Sequence, residues 1–494
     1  MKISRALISV FHKEGLDKIV PLLAENEIEI ISTGGTLQYI KKMGYQVSSV
    51  ETETGYPSIL GGRVKTLHPK IFGGILNRRS LSIDQDEMSD HGLTSIDLVI
   101  VDLYPFEKTL EETENENDLI EKIDIGGIAL IRAAAKNFED VVVISDRSQY
   151  PYLADKMAER DIDFSKSERK NLAARAFLKS SQYDELIASY LNSEQGSLRY
   201  GENPHQNAVF LGDHQEVFEK LNGKEISYNN LLDIDAALML HHSLQHHSCY
   251  FAIFKHNNAC GVAIRDEISV AYQDALAGDP VSSFGGILIS NQTVDLDVAE
   301  KIDNLFYEIL IAPKFDLDAL DLLRKKKNRI ILKLKNYHLP KRTKRSAING
   351  ILIQQTDRKE LQPEELKNQT KKPLTDKEMD DLLLANSIVK NTKSNAIILV
   401  KNGQLIGHGT GQTSRVDALH QAIAKAQRFG FDLQGAVMAS DAFFPFPDCV
   451  EIAGKIGITA IVQPGGSKND QLSINKANEL GISLSFTGFR HFKH

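Results

Sequence analysis

Residues 27–36 read Glu27-Ile28-Glu29-Ile30-Ile31-Ser32-Thr33-Gly34-Gly35-Thr36, and the eight that follow, LQYIKKMG, carry apolar side chains at helical spacing. A short isoleucine-rich run reads as a buried strand, two glycines let the chain turn tightly, and the periodic stretch then predicts a helix from Leu37. Strand, glycine turn and helix make the repeating unit of a parallel α/β sheet. The same rhythm extends outward in both directions. ALISV (6–10) precedes, joined by the amphipathic segment from Gly15 to Asn26, while DLVIVDLY (97–104) and DVVVIS (140–145) follow. Residues 1 to about 150 therefore predict a doubly wound α/β domain. Lys166 to Asn192 reads as one continuous helix, and LRYGENPHQN (198–207), polar and punctuated by Gly and Pro, reads as a loop. The domain boundary falls near residue 193, giving domains 1–192 and 193–494.

The second domain also mixes strands and helices, in two loosely similar halves. YFAIFKHNNACGVAI, SVAYQDALAG and DPVSSFGGILIS run through residues 250–290; NAIILVKNGQLIGHGTG, DALHQAIAKAQ and AVMASDAFFPF run through residues 395–446. Each is a strand, a turn, a helix, a strand and a polar loop, the pattern of an internal duplication.

Bulk properties narrow the function. The chain has 494 residues, 42% hydrophobic and 25% charged, with no long apolar run, so a multidomain soluble protein without a membrane partner is expected. MKISRALISVFHKEG lacks a small-residue cleavage site and suits a first strand better than a secretory signal. Cys249, Cys260 and Cys449 are far apart and odd in number, which speaks against a disulfide framework and for a reducing cytoplasm. A net charge of −8 disfavours nucleic acid, so an anionic substrate needs a local basic pocket. Arg324 to Arg345 is half Lys or Arg; it reads as a solvated face, or as an attractor for an anionic substrate tail.

Several constellations carry chemistry. The Thr33–Thr36 turn exposes amides at a helix start, a ready anion site. Gly61-Gly62-Arg63-Val64-Lys65-Thr66-Leu67-His68-Pro69 gathers two cations, a hydroxyl and an imidazole beside a double glycine, suited to an anion or a reacting carbonyl. Leu103-Tyr104-Pro105-Phe106 ends a strand, and Asp124-Ile125-Gly126-Gly127 leads to Lys136 one helix later; strand ends in open α/β sheets bind ligands. In the second domain, Phe254-Lys255-His256-Asn257-Asn258 places a cation beside an imidazole at a strand end, a pairing suited to a general base. Arg199 and Tyr200 offer a phosphate ligand and a stacking ring on a loop. Ser282–Gly286, Lys393-Ser394-Asn395, Gly411–Arg415, Asp441–Asp448 and Pro464–Ser467 are further polar, glycine- or proline-rich loops.

Other readings are weaker. His242 and His246 at i, i+4 invite a metal, but no carboxylate or second Cys completes the set. GHGTG (407–411) lacks the dinucleotide fingerprint's spacing, and no Walker A motif occurs. A zinc deaminase would need H-x-E together with P-C-x-x-C, and that paired signature is missing.

GGRVKTLHP (61–69), LYPF (103–106), IDIGG (123–127) and RAAAKN (132–137) resemble an IMP cyclohydrolase domain of methylglyoxal-synthase-like fold. LRYGENPHQ, SYNNLLDIDAA (227–237), the Lys255-His256 pair and the later loops resemble an AICAR formyltransferase domain built from two cytidine-deaminase-like halves. Over nearly its whole length the chain thus resembles the fused formyltransferase–cyclohydrolase family of purine synthesis. The resemblance implies formyl transfer from 10-formyltetrahydrofolate, a cosubstrate rather than a tightly bound cofactor, to the 5-amino group of AICAR, and then dehydrative closure of formyl-AICAR to IMP. It implies that Ser9, Ser32, Thr33, Gly34, Gly35 and Thr36 hold the nucleotide phosphate, that Arg63, Lys65, Tyr104, Asp124 and Lys136 surround the reacting groups, and that Thr66 binds beside them. In the second domain it implies His256 as base with Lys255 as its electrostatic partner, Asn395 on the formyl oxygen, and Phe443 and Asp448 on the folate. Arg199, Tyr200, Arg415, Arg490 and His494 would contact AICAR, in a homodimer with sites at the subunit interface. No metal is expected.

Departures from the family pattern are Phe11 in place of a hydroxyl residue, Asp102 for Asn, Ala259 for Pro, Asn391 for Tyr and Pro447 for a residue often basic. A catalytically inactive nucleotide-binding module is the rival of another class, and Lys65, Asp124, Lys255 and His256 speak against it.

Overall fold

A computed structural model of the chain describes residues 2–159, 162–192 and 196–494. It divides into two compact units, residues 1–195 and 196–494. Residue 193, where the boundary was expected, lies outside the described residues.

The first unit holds a five-stranded sheet. β1 (Arg5–Ser9), β2 (Glu29–Ser32), β3 (Ser48–Ser49), β4 (Leu98–Val101) and β5 (Val142–Ile144) run in the order β3-β2-β1-β4-β5. All pairings are parallel. Strands buried on both faces need apolar residues at consecutive positions, and Ala6 to Ile8, Leu98 to Ile100 and Val142 to Ile144 are all fully buried. The order reverses between β1 and β4, so a crevice is expected beyond their carboxyl ends. The helix after β2 starts at Gly34, three residues before the apolar period placed it, because a glycine carries no side chain to register in that period. The expected long helix is present as Lys166–Leu191, closed at its start by a reciprocal Ser165–Glu168 capping box.

The second unit is built on one 12-stranded sheet whose order exposes the duplication. In the first half, strands Tyr250–Lys255 and Asn258–Ile264 form a hairpin. Gly286–Ser290 pairs antiparallel with its first strand and continues in parallel through Tyr307–Ala312 and Ile330–Leu334 to the antiparallel edge Phe218–Asn222. The second half repeats this sequence of pairings. Hairpin Ile397–Lys401 and Gln404–Gly409 is followed by Val437–Ser440, Ala460–Gln463, Ser483–Phe486 and the antiparallel edge Lys367–Asn368. The two hairpins join back to back, with Ala263 opposite Gln404. In each half a helix crosses its hairpin at a glycine: a methyl on Gly261 would meet the Ala275 carbonyl at 1.9 Å, and one on Gly409 the Ala418 carbonyl at 1.8 Å. Only a residue without Cβ permits that approach.

Candidate functional site

At the switch point of the first unit, the chain leaving β1 meets the chain leaving β4. Asp102, 9% exposed, accepts from the backbone N–H groups of Phe11 and His12, the latter at 3.1 Å, and pairs with His12 Nδ1 at 2.9 Å. Asp102, a departure from the family pattern, thus ties down the loop after β1. The Phe11 ring stands edge-on to Tyr104 at 5.4 Å, and Lys122 Nζ lies 5.3 Å from one ring centre and 5.8 Å from the other. Tyr183, on the long helix, donates to the Lys122 carbonyl at 2.8 Å and accepts from the Asp124 N–H at 3.0 Å. Burial pushes its phenol up to about 12, so it stays a donor. His12, Asp102, Tyr104 and Tyr183 help to line a cavity of about 590 Å³ against the long helix.

Asp124 accepts from the Gly127 N–H at 2.6 Å. Burial raises its carboxyl pKa; the Gly127 and Tyr104 N–H groups and Lys65 pull it down, while Asp102 pushes it up. Tyr104 is raised by burial and then by Asp124. Lys65 reaches the glycine turn after β2: a methyl on Gly34 would lie 3.5 Å from its Nζ, and one on Gly126 would lie 3.1 Å from Thr66 Oγ1. Lys65 thus links the turn that starts at Thr33 with Asp124, where Thr66 and Tyr104 gather at the start of helix Gly126–Lys136. Within that turn the Thr33 hydroxyl is buried without a hydrogen-bond partner, whereas Ser32 and Thr36 spend theirs on the carbonyls of Ile8 (2.7 Å) and Val10 (2.8 Å). Amides at the helix start, an uncommitted hydroxyl and a nearby ammonium make an anion site. Ser9 ends β1 beside it, and Gly35 is the second residue of the helix. Two expected members stand apart. Arg63 is paired with Glu121 on the surface. Lys136 closes the 11-residue helix Gly126–Lys136, about 15 Å along the axis from its start, so one copy of the chain does not bring it to Asp124.

In the second unit His256 and Asn257 form the two-residue turn of the first hairpin, at φ 50° and 65°. Both central residues of such a turn have positive φ, which favours Asn and Gly. The second half obeys that rule with Asn402 and Gly403, at φ 54° and 70°. The two turns are held alike: Asp233 accepts from the Asn257 N–H at 2.7 Å, and Asp381 accepts from Asn402 and Gly403 at 2.8 and 2.6 Å. His256 therefore occupies a position that the duplicated half gives to an ordinary turn residue. Lys255 Nζ donates to the Phe284 and Gly285 carbonyls at 3.1 and 3.0 Å. Asn258 Oδ1 accepts from the Lys393 N–H at 3.2 Å, which brings the hairpin to the segment bearing Asn395. Asn395 donates from Nδ2 to the Gln412 carbonyl at 3.0 Å.

The carboxyl-terminal tail completes this surface. Ser394 and Lys493 exchange hydrogen bonds of 2.9 and 3.1 Å. The Phe492 ring has two guanidinium groups near it, Arg490 at 4.4 Å and Arg415 at 5.9 Å. Arg415 also lies 3.8 Å from Asp441, whose carboxyl pKa burial raises. The His494 carbonyl accepts from Arg345 at 3.1 Å. Phe443, partly exposed, and Asp448, which starts helix Asp448–Lys455, flank the loop after Asp441. Arg199 stacks on Tyr200 at 5.4 Å, in a loop that the Glu202 carbonyl joins to Asn229 of the helix bearing Asp233. Sequence reasoning quoted the stretches holding Asp233 and Asp441 without giving either a role. Equal spacing of Asp233 and Asp381 from their cap residues Ser227 and Thr375 was the available signal. The histidine cluster does not form a helix face, since that helix ends at Leu244 and His241 bonds the Tyr250 hydroxyl at 2.6 Å. Among the described residues no group of three or more His, Cys, Asp or Glu is placed to hold a metal ion.

Comparison with known proteins agrees over the whole length. A model of the AICARFT/IMPCHase bienzyme family matches residues 134–425, and an MGS-like domain model matches residues 15–129. A protein of Bacteroides thetaiotaomicron described as bifunctional purine biosynthesis protein PurH is 55% identical over 100% of this chain and 99% of its own. Proteins of the same description from Aquifex aeolicus and Persephonella marina are each 44% identical over 99% of this chain, and over 100% and 99% of their own. A solved chain, "Crystal structure of ForH", is 29% identical over 39% of this chain at a TM-score of 0.34, too loose a superposition to bear on the fold. With one family model spanning more than half of its residues and relatives matched from end to end, the chain belongs to the AICARFT/IMPCHase bienzyme family.

Proposed function

We propose that this chain performs the last two steps of IMP synthesis, with formyl transfer in residues 196–494 and ring closure in residues 1–195. The observation that carries the reading is His256, an imidazole held at a turn position where the duplicated half keeps Asn402. The 5-amino group of AICAR is conjugated to its imidazole ring and must lose a proton as it attacks the formyl carbon of 10-formyltetrahydrofolate. His256 takes that proton, and Lys255 and Asn395 steady the tetrahedral oxyanion. The cations Arg415, Arg490 and Arg199 receive the nucleotide phosphate, with Tyr200 and His494 beside it, while Phe443 and Asp448 border the folate.

For cyclisation, the carboxamide nitrogen attacks the formyl carbon within one molecule, and positioning supplies most of the acceleration. Phosphate sits on the Thr33–Thr36 turn, Asp124 accepts from the amide NH2, and Lys65 and Tyr104 support the oxygen that leaves as water. No tightly bound cofactor takes part; the enzyme works in the cytoplasm as a homodimer. Two variants assayed on separate half-reactions test this. Lys65→Ala should convert AICAR and 10-formyltetrahydrofolate to formyl-AICAR and stop, while His256→Ala should still close supplied formyl-AICAR to IMP. If either variant loses both half-reactions while folded, or neither, the assignment of sites is wrong.

A further inference from the structure

Asp279 caps the end of helix Ile268–Gly278 and is 2% exposed. Its carboxylate accepts from the Ser282 N–H at 2.9 Å, the Ser282 hydroxyl at 2.7 Å and Lys425 Nζ at 2.6 Å. Its backbone carbonyl accepts from the Ser283 hydroxyl at 2.8 Å. Burial opposes its ionisation, but the bonds from Lys425 and Ser282 outweigh burial and hold the carboxyl well below its ordinary range. Lys425 Nζ also lies 2.9 Å from His408 Nε2, which must then be an unprotonated acceptor, in keeping with the lowered pKa that burial gives His408. The group joins the two halves, since Asp279 belongs to the first and His408 and Lys425 to the second.

The loop so clamped, residues 279–285, is the one whose Phe284 and Gly285 carbonyls receive Lys255 Nζ. The duplicated half supplies a control. There the equivalent lysine, Lys401, bonds both the carbonyl and the carboxylate of Asp432 at 3.0 Å, so its charge is neutralised. Lys255 instead hydrogen-bonds two neutral carbonyls, which direct the ammonium towards an oxyanion, while the Asp233 and Glu308 carboxylates act on it through space rather than by a hydrogen bond. The carboxylate of its loop is turned the other way, onto Ser282 and Lys425. We propose that Asp279 is a positioning residue for formyl transfer: paired with Lys425, it fixes the Ser282–Gly285 loop so that two backbone carbonyls aim the Lys255 ammonium at the reacting formyl oxygen.

The proposal rests on the assignment of Lys255 to formyl transfer, and a double-mutant cycle separates the two. Asp279→Asn retains the acceptor for the Ser282 N–H but loses the charge that holds Lys425. It should lower kcat for formyl transfer about 10- to 100-fold, the scale of a misaimed group, with KM for AICAR within about twofold and cyclisation unchanged. Combined with Lys255→Ala, it should add almost nothing to the loss that Lys255→Ala causes alone, because residues acting as a unit are not additive. Losses that multiply, as a general weakening of the fold would give, overturn the proposal. If Asp279→Asn does not fold, Ser282→Ala decides by the same cycle: it removes only the hydroxyl bond and should cost less, again without adding to Lys255→Ala. Wild-type transfer by both loop variants refutes the positioning role alone. Wild-type transfer by Lys255→Ala refutes the assignment beneath it.

Discussion

Replacing His256 by Asn installs in the first hairpin the residue that the second hairpin already carries at Asn402. The backbone there has φ 50°, against 54° at Asn402. A side chain in the left-handed region costs about 1–2 kcal/mol, and Asn escapes much of that by local hydrogen bonding. The Asp233 bond to the Asn257 N–H involves neither side chain at position 256 and survives the change. His256→Asn should therefore be neutral or stabilising by up to about 1 kcal/mol, a rise in Tm of no more than about 4 °C. Catalysis moves the other way. Asn cannot accept the amine proton, and loss of a general base costs about 10²- to 10⁴-fold in kcat. Thermal unfolding and single-turnover formyl transfer, read on the same preparation, give both numbers, with cyclisation of supplied formyl-AICAR as internal control. A variant that keeps more than about a tenth of the transfer rate refutes His256 as base. A Tm lowered by several degrees refutes the claim that the turn tolerates histidine at a cost.

Three other outcomes are expected. Asp124→Asn should reduce cyclisation at least about 100-fold without lowering Tm at neutral pH. A carboxyl whose folded pKa is raised by burial contributes stability below its unfolded pKa and loses that contribution as pH rises through the folded one, so at pH 7 the ionised form weakens the fold; a lower Tm contradicts this. Asp102→Asn removes a like charge that raises Asp124, so the acid limb of the cyclisation pH profile should move to lower pH, and an unmoved limb would show that Asp102 acts on the Phe11–His12 loop alone. Exhaustive chelation should leave both half-reactions intact, because neither step requires a Lewis acid; activity lost and then restored by zinc would revive the histidines of residues 241–247 as ligands.

Much of the fold was legible because local pattern and tertiary role coincide. DLVIVDLY and DVVVIS are apolar at successive positions since a parallel sheet buries both faces, EIEIIS only at Ile30 and Ile31, and all three strands lie within the runs that predicted them. The duplication was faint in sequence because it resides in pairing order; Gly261 and Gly407, at the same register position and each under a crossing helix, mark it residue by residue. Sites were legible where chemistry is dense in one loop, as in GGRVKTLHP and the Lys255-His256 pair. They were not where a residue acts through a distant partner. Nothing near Asp102 in sequence announces Phe11 and His12, some 90 positions earlier, and nothing near Asp279 announces Lys425, 146 positions later. Lys136 shows the converse, a residue close to Asp124 in sequence that an intervening helix carries away from it.

The most direct test of the whole account is to give the purified wild-type chain AICAR and 10-formyltetrahydrofolate alone and to follow IMP and tetrahydrofolate. The account predicts stoichiometric IMP and tetrahydrofolate, with formyl-AICAR passing only as a transient intermediate. Formyl-AICAR that accumulates without closing, or no consumption of AICAR, would contradict it.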